Sequence, residues 1–250
     1  MKKLNAVLAL LLLAPALALA AGKEKADGEA VVVPDVEMID VPTAGILDYY
    51  GFTVKTRAYS GGGVIGALNF GVQERLNLGA SMAVDKFIGS DPGVKMRRPE
   101  IHVKFRFYDG GYYIPAMALG YDGQGYYYNP DGKKYMEKGR GLYLAASKEI
   151  GVPGLALHGG LSVSDFDKNY LFSFLGLNYT LEDKVAFMVE YDNMFHEDDP
   201  KRLNAGIRFY VTPYFQLDLA AREIGADKDF SNGWPRKTER VVQMRYTTSF

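Results

Sequence analysis

In the run Glu100-Ile-His-Val-Lys-Phe-Arg-Phe107, polar or charged side chains alternate with apolar ones without a break. A period of two puts Ile101, Val103, Phe105 and Phe107 on one face of a strand and Glu100, His102, Lys104 and Arg106 on the other. No soluble helix gives that register. A purely apolar face backed by ionisable groups suits a wall with lipid on one side and water on the other. In a bilayer such a wall must close on itself, because an open edge would leave backbone N–H and C=O groups unpaired.

The same alternation runs through Val242, Met244 and Tyr246 to the aromatic Phe250. A half-buried strand of a soluble domain would share this pattern. In a barrel it marks the closing strand, with Tyr246 and Phe250 as the assembly signal expected to be read by the outer-membrane insertion machinery. From residue 46 onward about twelve such segments follow one another. Near the start, Tyr50, Phe52, Val54 and Ala58 oppose Thr53, Lys55 and Arg57, and the next segment turns Val64, Leu68, Phe70 and Val72 outward. Later segments cover residues 76–84, 115–121, 142–149, 155–163, 171–179, 185–191, 203–210, 215–221 and 241–250. The expected fold is all-β, a transmembrane antiparallel up-and-down β-barrel of about twelve strands.

Lys2 and Lys3, an apolar run over residues 4–13, and the small residues Ala18, Ala20 and Ala21 read as a secretory signal peptide spanning 1–20. Residues 21–42 are expected to form a periplasmic N-terminal segment, a linker whose Val31, Val32 and Val33 could alternatively dock in the barrel mouth. Residues 43–250 form the barrel. Tight connections at Glu74-Arg75, Asp109-Gly-Gly111, Gly151-Val-Pro-Gly154, Glu182-Asp183 and Thr212-Pro213 alternate with longer ones at 87–98, 122–140, 165–170, 194–201 and 225–238. Short turns on the periplasmic side and long loops outside place both termini in the periplasm of a Gram-negative-type outer membrane.

Composition narrows the partners. Lys+Arg 29 against Asp+Glu 30 leaves no basic excess for nucleic acid, and with no cysteine the chain has no disulfides and no lipidated Cys. The 18 tyrosines suit interfacial girdles against outer-membrane lipid. No cofactor is expected.

Ionisable residues at inward positions are Lys55, Arg57, Lys104, Arg106, Arg208, Arg222 and Arg245 against Asp85, Glu100, Asp122, Glu149, Glu190, Asp192 and Asp218. On the lipid side each would cost roughly 2 to 4 kcal/mol, so they are expected to line the lumen. They read either as a salt-bridged interior that stiffens the wall or as a mixed-charge conduit. In the first case Lys55, Arg57, Lys104 and Arg106 should meet Glu100, Glu190 and Asp192 across the lumen.

Tyr126, Tyr127, Tyr128 and Tyr135 form a candidate sugar-stacking loop, or ordinary loop packing. Asp165-Phe-Asp-Lys-Asn169 opens like a calcium loop, but Tyr170 stands where glycine is needed and Gly176 where the bidentate acid belongs. His196-Glu-Asp-Asp199 reads as an acidic loop before it reads as a metal site. His158 and Ser162 share a face but lie four residues apart along a strand, roughly 13 Å, so they form no catalytic pair. The chain reads as a non-enzyme.

Val41-Pro-Thr-Ala44, Ile114-Pro-Ala-Met-Ala-Leu-Gly-Tyr-Asp122, Gly141-Leu-Tyr-Leu-Ala-Ala-Ser-Lys148 and Val189-Glu-Tyr-Asp192 resemble phrases of the YjbH-type outer-membrane barrels associated with exopolysaccharide. The resemblance spans about residues 41–220. It implies a non-enzymatic accessory to surface-polysaccharide production or export, with polysaccharide or export proteins as partners. The alternative is a narrow passive channel for small polar solutes, and the third reading is a lipid-modifying enzyme.

Overall fold

The computed structural model describes residues 35–89, 93–164, 171–194, 200–230 and 232–249. The strands are β1 (Gly51–Tyr59), β2 (Gly63–Gln73), β3 (Leu76–Asp85), β4 (Lys95–Tyr108), β5 (Ala116–Asp122), β6 (Tyr126–Asn129) and β7 (Lys134–Glu137). They continue with β8 (Gly141–Glu149), β9 (Leu155–Val163), β10 (Leu171–Leu181), β11 (Val185–Asp192), β12 (Arg202–Tyr210), β13 (Phe215–Arg222) and β14 (Glu239–Ser249). Among the described residues, all strands except β6 and β7 close a twelve-stranded antiparallel barrel, in which β1 pairs with both β2 and β14. β6 and β7 pair with each other as a hairpin inside the connection from β5 to β8.

The alternation sorts the two faces of the wall. Ile101, Phe105, Leu144, Leu175, Phe187 and Met244 are exposed on the outside. Their inward neighbours Arg208, Arg222, Arg245, Glu190, Asp192 and Asp218 are buried within the barrel. An outer surface of Leu, Phe, Val and Ile is the one that lipid requires. No helix among the described residues is long and apolar enough to cross a membrane.

The connections are short at one end. The β10–β11 turn puts Glu182 and Asp183 at φ 48° and 52°, the left-handed pair of a two-residue hairpin whose twist matches its strands, and Lys184 N–H closes it on Leu181 C=O at 2.9 Å. The β4–β5 link is longer than expected. It runs from Asp109 to Pro115 and exposes Tyr112 and Tyr113. At the other end, the region read as a plain loop after Asp122 contains the β6–β7 hairpin, because Asn129, Pro130, Asp131 and Gly132 supply a turn between two short strands. β4 likewise begins at Lys95, inside the region read as loop.

The N-terminal segment is not a free linker where it is described. Residues 35–47 lie inside the barrel, with Met38, Ile39 and Val41 buried against Tyr143, Ala145, Phe174 and Met188 of the wall. The wall is cut away to receive them. A Cβ on Gly176 would sit 2.4 Å from Met38 Sδ, so glycine at that lumenal position makes room for the plug. The signal peptide, Val31 to Val33, the candidate calcium loop 165–169, the acidic run 196–199 and Phe250 lie outside the described residues.

Candidate functional site

The lumen is filled from both ends, and its charges are held by what fills it. Glu190 on β11 accepts backbone N–H bonds from Ile39, Asp40 and Val41 at 2.7, 2.9 and 2.9 Å. Its other oxygen takes Asn204 Nδ2–H at 2.9 Å. Lys104 donates to the carbonyls of Val36, Thr43 and Gly45 at 2.5, 3.1 and 3.2 Å. Arg208 bridges Asp218 of the neighbouring strand at 2.8 Å and Asp35 of the plug at 2.6 Å. The plug backbone has no ladder of its own beyond one isolated bridge, Glu37 to Pro42, so lumenal side chains serve its N–H and C=O groups.

The plug's acids complete the arrangement. Glu37 takes Lys55 at 2.7 Å and Arg245 at 2.9 Å. Asp40 takes Arg57 at 2.7 Å and Arg222 at 2.5 Å. Burial pushes the Asp40 carboxyl up, but the Arg222 and Arg57 guanidiniums outweigh it and hold the group well below the usual carboxylate range. Glu37 is held low in the same way, burial being outweighed by Lys55 and Arg245.

From the other end the β6–β7 hairpin leans into the mouth. Glu137 pairs with Arg222 and accepts from Arg202 at 3.1 Å. The Tyr126 ring lies 4.4 Å from the Arg222 guanidinium and 5.3 Å from that of Arg57. The Tyr127 hydroxyl donates to Ser60 C=O at 3.1 Å and to Glu239, and its ring stacks near Trp234 at 5.4 Å. Tyr128 meets Tyr135 edge-on at 5.1 Å and lies under Arg97. The four tyrosines of the candidate sugar-stacking loop therefore spend ring faces or edges on the protein's own arginines and aromatics.

The expected cross-lumen pairing among wall charges is not what the structure shows. Lys55, Arg57 and Lys104 bond to the plug rather than to Glu100, Glu190 or Asp192. Arg106 turns to Asp109 at 2.9 Å by the β4–β5 link, and Glu100 pairs with Arg98 at 2.7 Å by the hairpin mouth. A register shift between Arg106 and Tyr108 interrupts the β4 alternation at that point. Asp192 meets Arg140 at 2.9 Å. Tyr246 packs beside Phe52 and Tyr214, ring centroids 6.5 and 6.4 Å apart. Residues missed in the sequence are Asp35, Glu37 and Asp40 of the plug, with Glu137, Arg140, Arg202 and Glu239. A run of three acids within six residues ahead of the first strand was the signal available for the plug.

Between plug and hairpin a cavity of about 750 Å³ remains. Its lining holds Lys55, Arg57, Lys134, Lys138, Arg140, Arg202 and Arg222 against Glu37, Asp40, Asp122 and Glu137, an excess of cations. A smaller space of about 80 Å³ shares Glu37, Lys55, His102 and Arg140 with it and reaches Leu47, Asn69 and Asn77 toward the short-turn end. Among the described residues no cluster of acids and histidines is arranged to hold a metal.

No family model and no curated protein matches the chain, so the YjbH-type resemblance rests on its short phrases alone. Solved structures do match. A KdgM porin is similar over 80% of this chain and 99% of its own, with TM-score 0.50 and 11% identity. A KdgM porin in complex with disordered oligogalacturonate is similar over the same shares, with TM-score 0.50 and 9% identity. At such identity the likeness is one of fold, a closed all-β antiparallel barrel.

Proposed function

We propose that the protein is a narrow outer-membrane channel for small polar solutes, held nearly shut by its own N-terminal segment, with a preference for anions. The observation that carries this reading is the 750 Å³ cavity lined by Lys and Arg, with a smaller space beside the plug that shares Glu37, Lys55, His102 and Arg140 with it. A packed, structural lumen would need no such volume. The Lys and Arg side chains outnumber acids at the cavity surface, with Asp192, Glu223 and Glu239 set behind it, so anions meet the cations first. One structural neighbour is described with an oligogalacturonate, an acidic sugar polymer, which is in keeping with anionic solutes of the uronate kind.

The test is conductance of the purified full chain in planar bilayers under a salt gradient. Small steady currents with a reversal potential displaced toward chloride are expected, and larger currents from a Glu190→Ala variant that loses its hold on the plug backbone. Cation preference would overturn the anion selectivity, and silence from both proteins would overturn the channel. In that case the filled lumen supports the second reading, an accessory to surface polysaccharide in the manner the YjbH-type resemblance implies. Disrupting the gene would then lower surface polysaccharide while leaving small-solute uptake unchanged.

A further inference from the structure

Three neighbouring strands each give one lumenal residue to a compact set that the sequence keeps apart. His102 on β4 stands directly opposite Asp122 on β5. Across β3 it stands opposite Gly79, two residues from Ser81, and residues two apart on a strand share a face. The result is a hydroxyl, an imidazole and a carboxylate in line. His102 Nε2 lies 2.7 Å from Ser81 Oγ, and His102 Nδ1 lies 3.2 Å from Asp122 Oδ1. All three line the 750 Å³ cavity, within reach of a solute entering past the hairpin.

The chemistry of that order is specific. A carboxylate at Nδ1 fixes the proton there and leaves Nε2 to accept the hydroxyl proton, which turns a weak serine nucleophile into an effective one. At rest the Ser81 hydroxyl donates to Gln124 Oε1 at 2.7 Å, so its rotation toward His102 Nε2 is the step that arms the pair. A comparison within the same barrel shows what a purely structural set looks like. Ser147, His158 and Asn178 are also joined, at 2.8 and 2.7 Å, but Ser147 Oγ accepts the plug's Ala44 N–H and neither Ser147 nor His158 lines the large cavity. That set anchors the plug, whereas the Ser81 set faces open volume.

We infer that Ser81, His102 and Asp122 form a hydrolytic site for small polar esters admitted to the lumen. Ser81 Oγ bonds to the acyl carbon while His102 Nε2 takes the hydroxyl proton. Collapse of the tetrahedral adduct breaks the bond to the ester oxygen, which leaves as the alcohol with that proton. Water then attacks the acyl-serine, giving a proton to His102, and the carboxylic acid departs as Ser81 recovers its hydrogen. One water is consumed and no oxidant or reductant is needed. Asp122 is the positioning residue, holding the His102 ring and its Nδ1 proton.

The test uses the purified full chain in detergent with two probes, a fluorophosphonate and p-nitrophenyl acetate. A phosphonyl adduct should map to Ser81 by peptide mass spectrometry, vanish in Ser81→Ala and persist in Ser147→Ala. Ester turnover should fall by about 10²-fold in His102→Gln, the size expected for loss of a general base. Asp122→Asn should slow turnover and distort its pH profile, an effect that a merely structural carboxylate would not produce. The heat-dependent gel shift of a closed barrel checks that each variant folds. No adduct at Ser81 in the folded protein, or equal turnover in Ser81→Ala, overturns the inference. A protein that conducts but takes no probe sinks this inference alone, and one that takes the probe without conducting sinks the channel alone.

Discussion

Lys55 and Arg245 stand directly opposite each other where β1 pairs with β14, two cations side by side at the seam that closes the barrel. Like charges facing each other across a strand pair are destabilising. Glu37 of the plug lies between them and bonds both. The repulsion at the closing seam is therefore relieved by a residue that belongs to neither strand, and plug and wall form one electrostatic unit.

Removing that acid should be felt at the seam. Glu37→Gln is expected to destabilise the closed barrel by about 1–3 kcal/mol, less than the cost of breaking a fully buried pair because its side chain is about a quarter exposed. The midpoint of thermal unfolding, read by loss of the gel shift, should fall. Lys55→Met in the same chain should restore part of the loss, because one of the two opposed cations is then gone. An unchanged midpoint in Glu37→Gln would show that the seam does not depend on the plug.

Asp40 gives a pH prediction with a definite sign. Its carboxyl is held below the ordinary value of about 4 in the folded protein, so its contribution is fully present above that value. The contribution is lost only as the pH falls through the depressed folded value. Plug closure, read as bilayer conductance, should thus stay level from pH 8 down to about pH 4 as far as Asp40 controls it. Asp40→Asn should raise conductance across that whole range. A wild-type current that opens near pH 5 while Asp40→Asn stays quiet would contradict this assignment.

Glu137 tests the hairpin. It answers Arg222 and Arg202 at the cavity rim, so Glu137→Gln leaves two guanidiniums less neutralised and should displace the reversal potential further toward chloride. A shift toward cation preference would contradict the electrostatic account of the cavity.

Orientation is open to direct labelling because the chain has no cysteine of its own. A single cysteine at Asn129, in the hairpin, should react with a membrane-impermeant thiol reagent on intact cells. One at Asp109 or Asp183, in the short connections, should not. Reversed labelling would invert the barrel, and labelling at all three positions would argue against a spanning wall.

The wall was legible in the sequence because a half-lipid, half-lumen strand writes its environment into every second residue. Glu100 to Phe107 could hardly fold otherwise, and β8 to β13 fall within a residue or two of their expected bounds. The lumen was far less legible. Arg222 and Lys55 could be placed facing inward, but their partners Asp40 and Glu37 lie in a segment with no repeating period, whose backbone bonds mostly to distant side chains. Period tells which face a residue occupies and says nothing of what lies across the lumen. The same limit hid Ser81, His102 and Asp122, whose proximity depends on the register between strands.

The three N–H groups that Glu190 accepts belong to residues about 150 positions earlier in the chain, and Arg245, which holds Glu37, comes 208 positions after it. The segment that enters the lumen first in sequence can thus complete its set of partners only when the closing strand is in place. Contacts of such long separation form late and slowly. The seating of residues 35–47 is accordingly tied to closure of the cylinder: a barrel that lacks its closing strand also lacks one of the cations that fasten the segment in its lumen.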